Sequence, residues 1–249
     1  MGSNTKGKIA SQIQSLHFNV PIDQQIVVIY NHGIKHPQQP EPCYMPYNKP
    51  PASLRSLINK NLMVYSLCST SIESPAPTSA GKQVYLRKQE ISHAIDAFLE
   101  RGIQPKNLFL AGHSNGGWTS LMMMRDVNKR FNGVIAYAPA FAGKRKDSKL
   151  FPWWRSTARP NQINDMLGAS EMDALVFAYD RDEYNRPQDL KFLTDRYPLV
   201  VNASVNQGVV LTSYDCGNLN AHQTFRNDCR LVDTKKRIQR FINNQIAYW

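Results

Sequence analysis

Residues 108–118, Leu-Phe-Leu-Ala-Gly-His-Ser-Asn-Gly-Gly-Trp, constrain this chain more than any other segment. The strand predicted at Asn107–Ala111 enters Gly112-His113-Ser114-Asn115-Gly116, and a helical pattern from Gly116 to Val127 leaves it. A Gly-x-Ser-x-Gly sequence between strand and helix implies a turn so sharp that the serine backbone is strained. The flanking glycines remove side chains that would collide there. Such a turn lifts the Ser114 hydroxyl, exposed, above a sheet, and aims the Asn115 amide at the place where an oxyanion would form. The bland alternative is a glycine-rich turn holding a structural serine.

The sheet that this turn requires can be read along the rest of the chain. Apolar, β-rich runs occur at 25–30, 63–67, 133–138, 174–179 and 208–213. Between them lie helical spacings: Leu54, Leu57, Ile58 and Leu62; then Val84, Ile91, Ile95 and Phe98; and finally Ile238, Phe241, Ile242 and Ile246, with Asp233 as the expected N-cap. Alternation of this kind predicts a mostly parallel sheet with helices on both faces. The 249 residues, 42% hydrophobic, suit one α/β domain spanning 1–249. Phe141–Leu167 breaks the alternation. It sets Lys144, Arg145, Lys146, Lys149, Arg155 and Arg159 beside Phe151, Trp153 and Trp154. Connections longer than compact packing needs are often lids or binding loops; the other reading is a surface excursion with its aromatics packed on the core.

Thirty basic and 19 acidic residues give a net charge of +11. That surface attracts anionic polymers or membrane surfaces without choosing among them. Nucleic-acid binding lacks a reading motif, zinc-finger spacing or a basic run interleaved with aromatics, so no specific nucleic-acid partner is expected. No run approaches the roughly 18 apolar residues of a membrane span. The four cysteines form no C-x-x-C pair, which leaves zinc unsupported, and no cofactor is expected. Cys216 and Cys229 bracket His222, and a disulfide between them would close a loop of about 14 residues and hold the histidine segment. Four free thiols in a cytoplasmic protein are the alternative; a bridge points to a periplasmic or secreted one. The N-terminus shows no signal-peptide core, but Met1-Gly2-Ser3 reads as a cloning scar, which leaves room for a leader upstream.

From Gln25 to Trp249 the chain resembles the α/β-hydrolase family, in layout the dienelactone-hydrolase-like esterases. The resemblance implies an oxyanion loop at Tyr30-Asn31-His32-Gly33-Ile34, with the Ile34 amide as second donor beside Asn115 and His32 bracing the loop. It also implies an acid and then a histidine downstream of Ser114. The acid falls in Asp180-Arg181-Asp182, with Asp182 favoured over Asp180, and the histidine is His222, with none other after Asp182. His17, His36, His93 and His113 have ordinary explanations as loop, helix-surface or packing residues. Two departures limit the substrate. The nucleophile is serine where true dienelactone hydrolases use cysteine, and the oxyanion loop is His-Gly and not His-Gly-Gly-Gly. Gly116-Gly117 is also similar to prolyl-oligopeptidase-like peptidases, although this chain carries no propeller ahead of it. An esterase acting on a small-molecule ester is therefore expected. A small serine peptidase or acyl-aminoacyl hydrolase is the alternative, and a non-catalytic binder of an anionic polymer or membrane surface is a third.

Overall fold

Successive side chains along a strand point to opposite faces, so a strand buried on both faces has to be apolar throughout. A computed structural model of the chain, describing residues 2–33, 45–69, 80–126, 129–141, 144, 154–201, 206–217, 221–223 and 229–249, shows this pattern. Strands β1 (Ile26–Asn31), β2 (Leu62–Leu67), β3 (Leu108–His113), β4 (Gly133–Tyr137), β5 (Ala174–Tyr179) and β8 (Val209–Tyr214) form one sheet. Its order is β2-β1-β3-β4-β5-β8 and every pairing is parallel. Two-residue strands β6 (Val200–Val201) and β7 (Asn206–Gln207) pair antiparallel apart from it. Residues of β3, β4 and β5 are buried throughout, whereas β2 and β8, at the edges, are partly exposed.

The two faces bury different side chains. Val27, Ile29, Leu108, Leu110, Val134, Ala136, Ala174 and Val176 share one layer. It also holds Ile9 and Ile13 of α1 (Gly2–Gln14), Ile91, Ile95 and Phe98 of α3 (Ala80–Glu100), and Trp118 and Leu121 of α4 (Asn115–Met122). The intervening residues Val28, Tyr30, Phe109, Ile135, Tyr137, Leu175 and Phe177 pack on the other side. There they meet Leu54 of α2 (Ala52–Arg55) and Ile238, Phe241 and Ile242 of α7 (Leu231–Tyr248). Met166 of α5 (Arg159–Leu167) and Leu193 of α6 (Lys191–Arg196) join the first layer. A six-stranded parallel sheet with helices on both faces is the α/β-hydrolase layout. No helix among the described residues is long and apolar enough to cross a membrane.

Several boundaries differ from the sequence reading. Helix α1 carries only Ile9, Ala10 and Ile13 on its apolar face, too few to announce it. The helix predicted through Leu62 stops at Arg55. Asn59 Oδ1 accepts the amides of Asn61 and Leu62 at 2.8 and 3.1 Å, a turn that delivers Leu62 into β2. Asp233 does not cap α7, which starts at Leu231 with Arg230 as N-cap. It sits in the first turn, accepting from Tyr214 Oη and Arg237 Nε at 2.7 and 2.8 Å, and those bonds hold its pKa below the usual value.

The strand order reverses at β1. The chain runs from β1 outward to β2 and returns to β3 on the opposite side of β1. Loops leaving the carboxyl ends of β1 and β3 therefore diverge and open a crevice, the usual ligand position in such sheets.

Candidate active site

Ser114 follows β3 at that crevice with φ 53° and ψ −124°, a strained conformation for a side chain with a Cβ. Its backbone is tied on three sides: its amide donates to Tyr137 O at 3.0 Å, and its carbonyl accepts from Trp118 N and Ala140 N at 2.9 and 3.1 Å. The glycines are required by contact. A Cβ at Gly112 would lie 2.5 Å from the Gly116 carbonyl carbon, and one at Gly116 would run into the Asn31 carbonyl oxygen. The second contact shows that the turn packs backbone against backbone on the loop leaving β1. Ser114 as a whole residue is 8% exposed. Gly33 approaches so closely that a Cβ there would lie 3.2 Å from Ser114 Cβ and 2.9 Å from His113 Nδ1.

His222 Nε2 lies 2.8 Å from Ser114 Oγ, and His222 Nδ1 lies 2.9 Å from Asp182 Oδ2. Three side chains from loops after β3, β5 and β8 thus form one continuous line of hydrogen bonds. Asp182 is fully buried, and its other oxygen accepts the Tyr184 amide at 2.7 Å. Both carboxylate oxygens are engaged, so the side chain cannot turn away from the imidazole without losing a bond. Asp180, the alternative acid, is exposed and accepts from Ser213 Oγ at the edge of the sheet. Of the expected oxyanion donors, Asn115 begins α4 directly after the serine, whereas Ile34 lies outside the described residues.

Sequence reading missed three supports. His113 Nε2 donates to the His222 carbonyl at 2.8 Å, so a residue expected only to pack holds the histidine's backbone. The Tyr184 ring lies 4.1 Å from the His222 ring, and the Tyr184 carbonyl accepts from Arg155 Nη2 at 3.0 Å. Arg87 is buried behind Asn115 and donates to its side chain. Each partner pair is at least 28 residues apart, so no local pattern marks them. The order β3-β4-β5 hints only that residues flanking Ser114 and Asp182 meet.

His32 is buried, and desolvation, then the charge of Arg87, lowers its pKa to about 3. The ring is therefore neutral, and its Nδ1–H donates to Gly33 O at 2.7 Å, the bracing expected of it. Cys216 and Cys229 are disulfide-bonded with Cα atoms 6.0 Å apart, and Cys68 is bonded to a partner outside the described residues. Of the basic excursion, residues 142–143 and 145–153 lie outside the described set. Its remainder is tied to the body: Gln162 Oε1 accepts from Trp118 Nε1 at 2.7 Å, and Arg159 Nη2 donates to Asp189 O at 2.7 Å. Lys144 pairs with Glu183 at 2.8 Å. No metal-binding group of His, Cys, Asp or Glu occurs among the described residues.

The prolyl oligopeptidase family (Peptidase_S9) matches residues 88–185, a segment that includes the serine turn and Asp182. No curated protein matches the chain in sequence. Among solved structures, it is similar to the apo form of Thermogutta terrifontis esterase 2, at 14% identity and TM-score 0.61, covering 90% of this chain and 85% of that one. The same esterase phosphonylated by sarin matches at 13% identity and TM-score 0.60, covering 90% and 85%. A puromycin-hydrolyzing peptidase of Mycobacterium tuberculosis matches at 13% identity and TM-score 0.59, over 90% of this chain but 35% of that one. The chain has the α/β-hydrolase fold, and the matched segment together with the hydrogen-bonded serine supports a serine hydrolase built on it.

Proposed function

We propose that the chain hydrolyses carboxylic esters through an acyl-enzyme, with Ser114 as nucleophile, His222 as base and Asp182 as the acid that orients it. The observation that carries this reading is the unbroken line from Ser114 Oγ through His222 to Asp182, at 2.8 and 2.9 Å. A serine hydroxyl is a weak nucleophile, so attack on a carbonyl requires that its proton pass to His222 Nε2 as the bond forms. Asp182 fixes the tautomer that leaves Nε2 free to accept, and stabilises the imidazolium that results. The alkoxide develops against the amides of Asn115 and Ile34, donors worth a few kcal/mol each at the transition state. His222 returns the proton to the leaving alcohol, and water, deprotonated by the same ring, releases the acid.

The similarity to Thermogutta terrifontis esterase 2 favours a small-molecule ester. The prolyl oligopeptidase match and the puromycin-hydrolyzing peptidase support a second reading, in which the acyl donor is a short peptide or an aminoacyl amide. The disulfide beside His222 supports a periplasmic or secreted location. A fluorophosphonate probe tests the common chemistry: it should label Ser114, and the label should vanish in Ser114→Ala. Panels of p-nitrophenyl esters and of aminoacyl p-nitroanilides then separate the two substrates. Absence of labelling in the folded wild-type protein would overturn both readings.

A further inference from the structure

Arg87, on α3, is 1% exposed, and neither core packing nor solubility accounts for a guanidinium there. Burying such a charge is costly unless its donors are well used, and an apolar residue of similar size would serve the layer between α3 and the sheet better. Burial draws its pKa down to about 10, opposed by nearby Glu90, so it remains a cation at neutral pH. Two of its donors are spent on two segments of the site. Nη2 donates to the His32 carbonyl at 2.6 Å, and Nη1 to Asn115 Oδ1 at 3.0 Å. Glu90, one turn along α3, takes the Ser69 hydroxyl from the loop after β2. One helix thus ties together the loops leaving β1, β2 and β3.

The consequence for the amides is direct. In a trans peptide the carbonyl and the N–H point in opposite directions, so a His32 carbonyl anchored on Arg87 turns the Gly33 amide away from α3. The His32 ring then takes the Gly33 carbonyl, so both ends of the Gly33 residue are held. On the other side, Arg87 holds the side chain of the residue whose amide opens α4. We infer that Arg87 is a positioning residue. Its buried guanidinium keeps the β1 loop and Asn115 in one register, so that amides of both face the same developing oxyanion. The inference rests on the hydrolase reading above. Pre-set donors cost no reorganisation during the reaction, which makes their orientation a matter of turnover and not of ground-state binding.

The test uses p-nitrophenyl butyrate, with active sites counted by fluorophosphonate labelling of Ser114. Arg87→Met should lower kcat per labelled site on the order of 100-fold with KM changed less than about threefold, the size expected for a lost oxyanion donor. Arg87→Lys, which restores the charge but cannot span both acceptors, should recover about tenfold of that. A purely structural role would lower the number of labelled sites and the melting temperature while leaving kcat per site unchanged. Should Arg87→Met not fold, Asn115→Ala removes one acceptor and keeps the guanidinium on His32; it should lower kcat about tenfold at constant KM. A kcat per site within threefold of wild type, in whichever of these variants is obtained, overturns the inference and leaves the hydrolase reading standing. A wild-type protein that neither labels nor turns over removes that reading, and the inference with it.

Discussion

The segment that holds Ser114 and the segment that holds His222 solve the same problem by different means. Ser114 is set by backbone. Three main-chain bonds fix it, and two glycines let the turn press against Asn31 and against itself. His222 sits in a short helical turn, Ala221–Gln223. It is held from outside, by the Asp182 carboxylate, the His113 ring on its carbonyl, the Tyr184 ring against its face and a disulfide that closes its loop. In the proposed roles, a nucleophile must be placed to a fraction of an ångström, which a strained turn favours. A base that both receives and returns a proton needs a fixed tautomer more than a fixed backbone.

Breaking each mode of support should therefore produce different damage. Gly116→Ala drives a methyl into the Asn31 and His32 carbonyls, and backbone on both sides cannot yield. We expect a loss of about 3 kcal/mol or more, read by denaturant melts, with activity falling in parallel because fewer molecules fold. Replacing both Cys216 and Cys229 by Ala frees a loop of about 14 residues, worth about 3 kcal/mol in the chain-entropy model. The melting temperature should fall by about 6–12 °C. Unlike Gly116→Ala, the folded fraction should also turn over more slowly, since it is the histidine that is loosened. An unchanged rate per folded molecule would show that the side-chain contacts suffice without the bridge.

The smallest expected effect is a matter of pH. His32 is held neutral in the fold with a pKa near 3, while in the unfolded chain it titrates near 6.5. Between those values the unfolded state binds the extra proton, so the contribution of His32 is complete above about pH 6.5 and is lost on acidification. The slope approaches about 1.4 kcal/mol per pH unit inside the window. Asp173, at the amino end of β5, is raised to about 6 by burial and acts with the opposite sign as pH rises from about 4 to 6. Comparing wild type with His32→Asn cancels that background. The stability difference, wild type minus variant, should shrink as pH falls from 6.5 to 5, and a difference that does not change with pH would contradict the neutral, buried state of His32.

The contrast between the two segments also explains what could be read from the sequence. Strands β3, β4 and β5 are legible because burial on both faces demands unbroken apolar runs, and the serine turn is legible because its constraints lie within five residues. His222 is legible only through the chain order that the family resemblance supplies. Asp182 and Asp180 are two residues apart in one polar turn, and nothing local says which one faces inward. Arg87, His113 and Tyr184 carry no signal at all, since each acts through a partner brought near by the sheet order. Helix α1 was hidden for a simpler reason: it buries only two isoleucines, and the rest of its surface is polar.

The most direct measurement is steady-state hydrolysis of p-nitrophenyl butyrate by His222→Ala, with the folded state checked by circular dichroism. In the proposed mechanism, removing the imidazole takes away the proton acceptor while leaving the serine turn in place. The account predicts a fall in kcat/KM of at least about 1,000-fold with the fold preserved. Turnover near the wild-type rate in a folded variant would contradict it, because the hydroxyl at 114 would then be activated by something other than the ring 2.8 Å away.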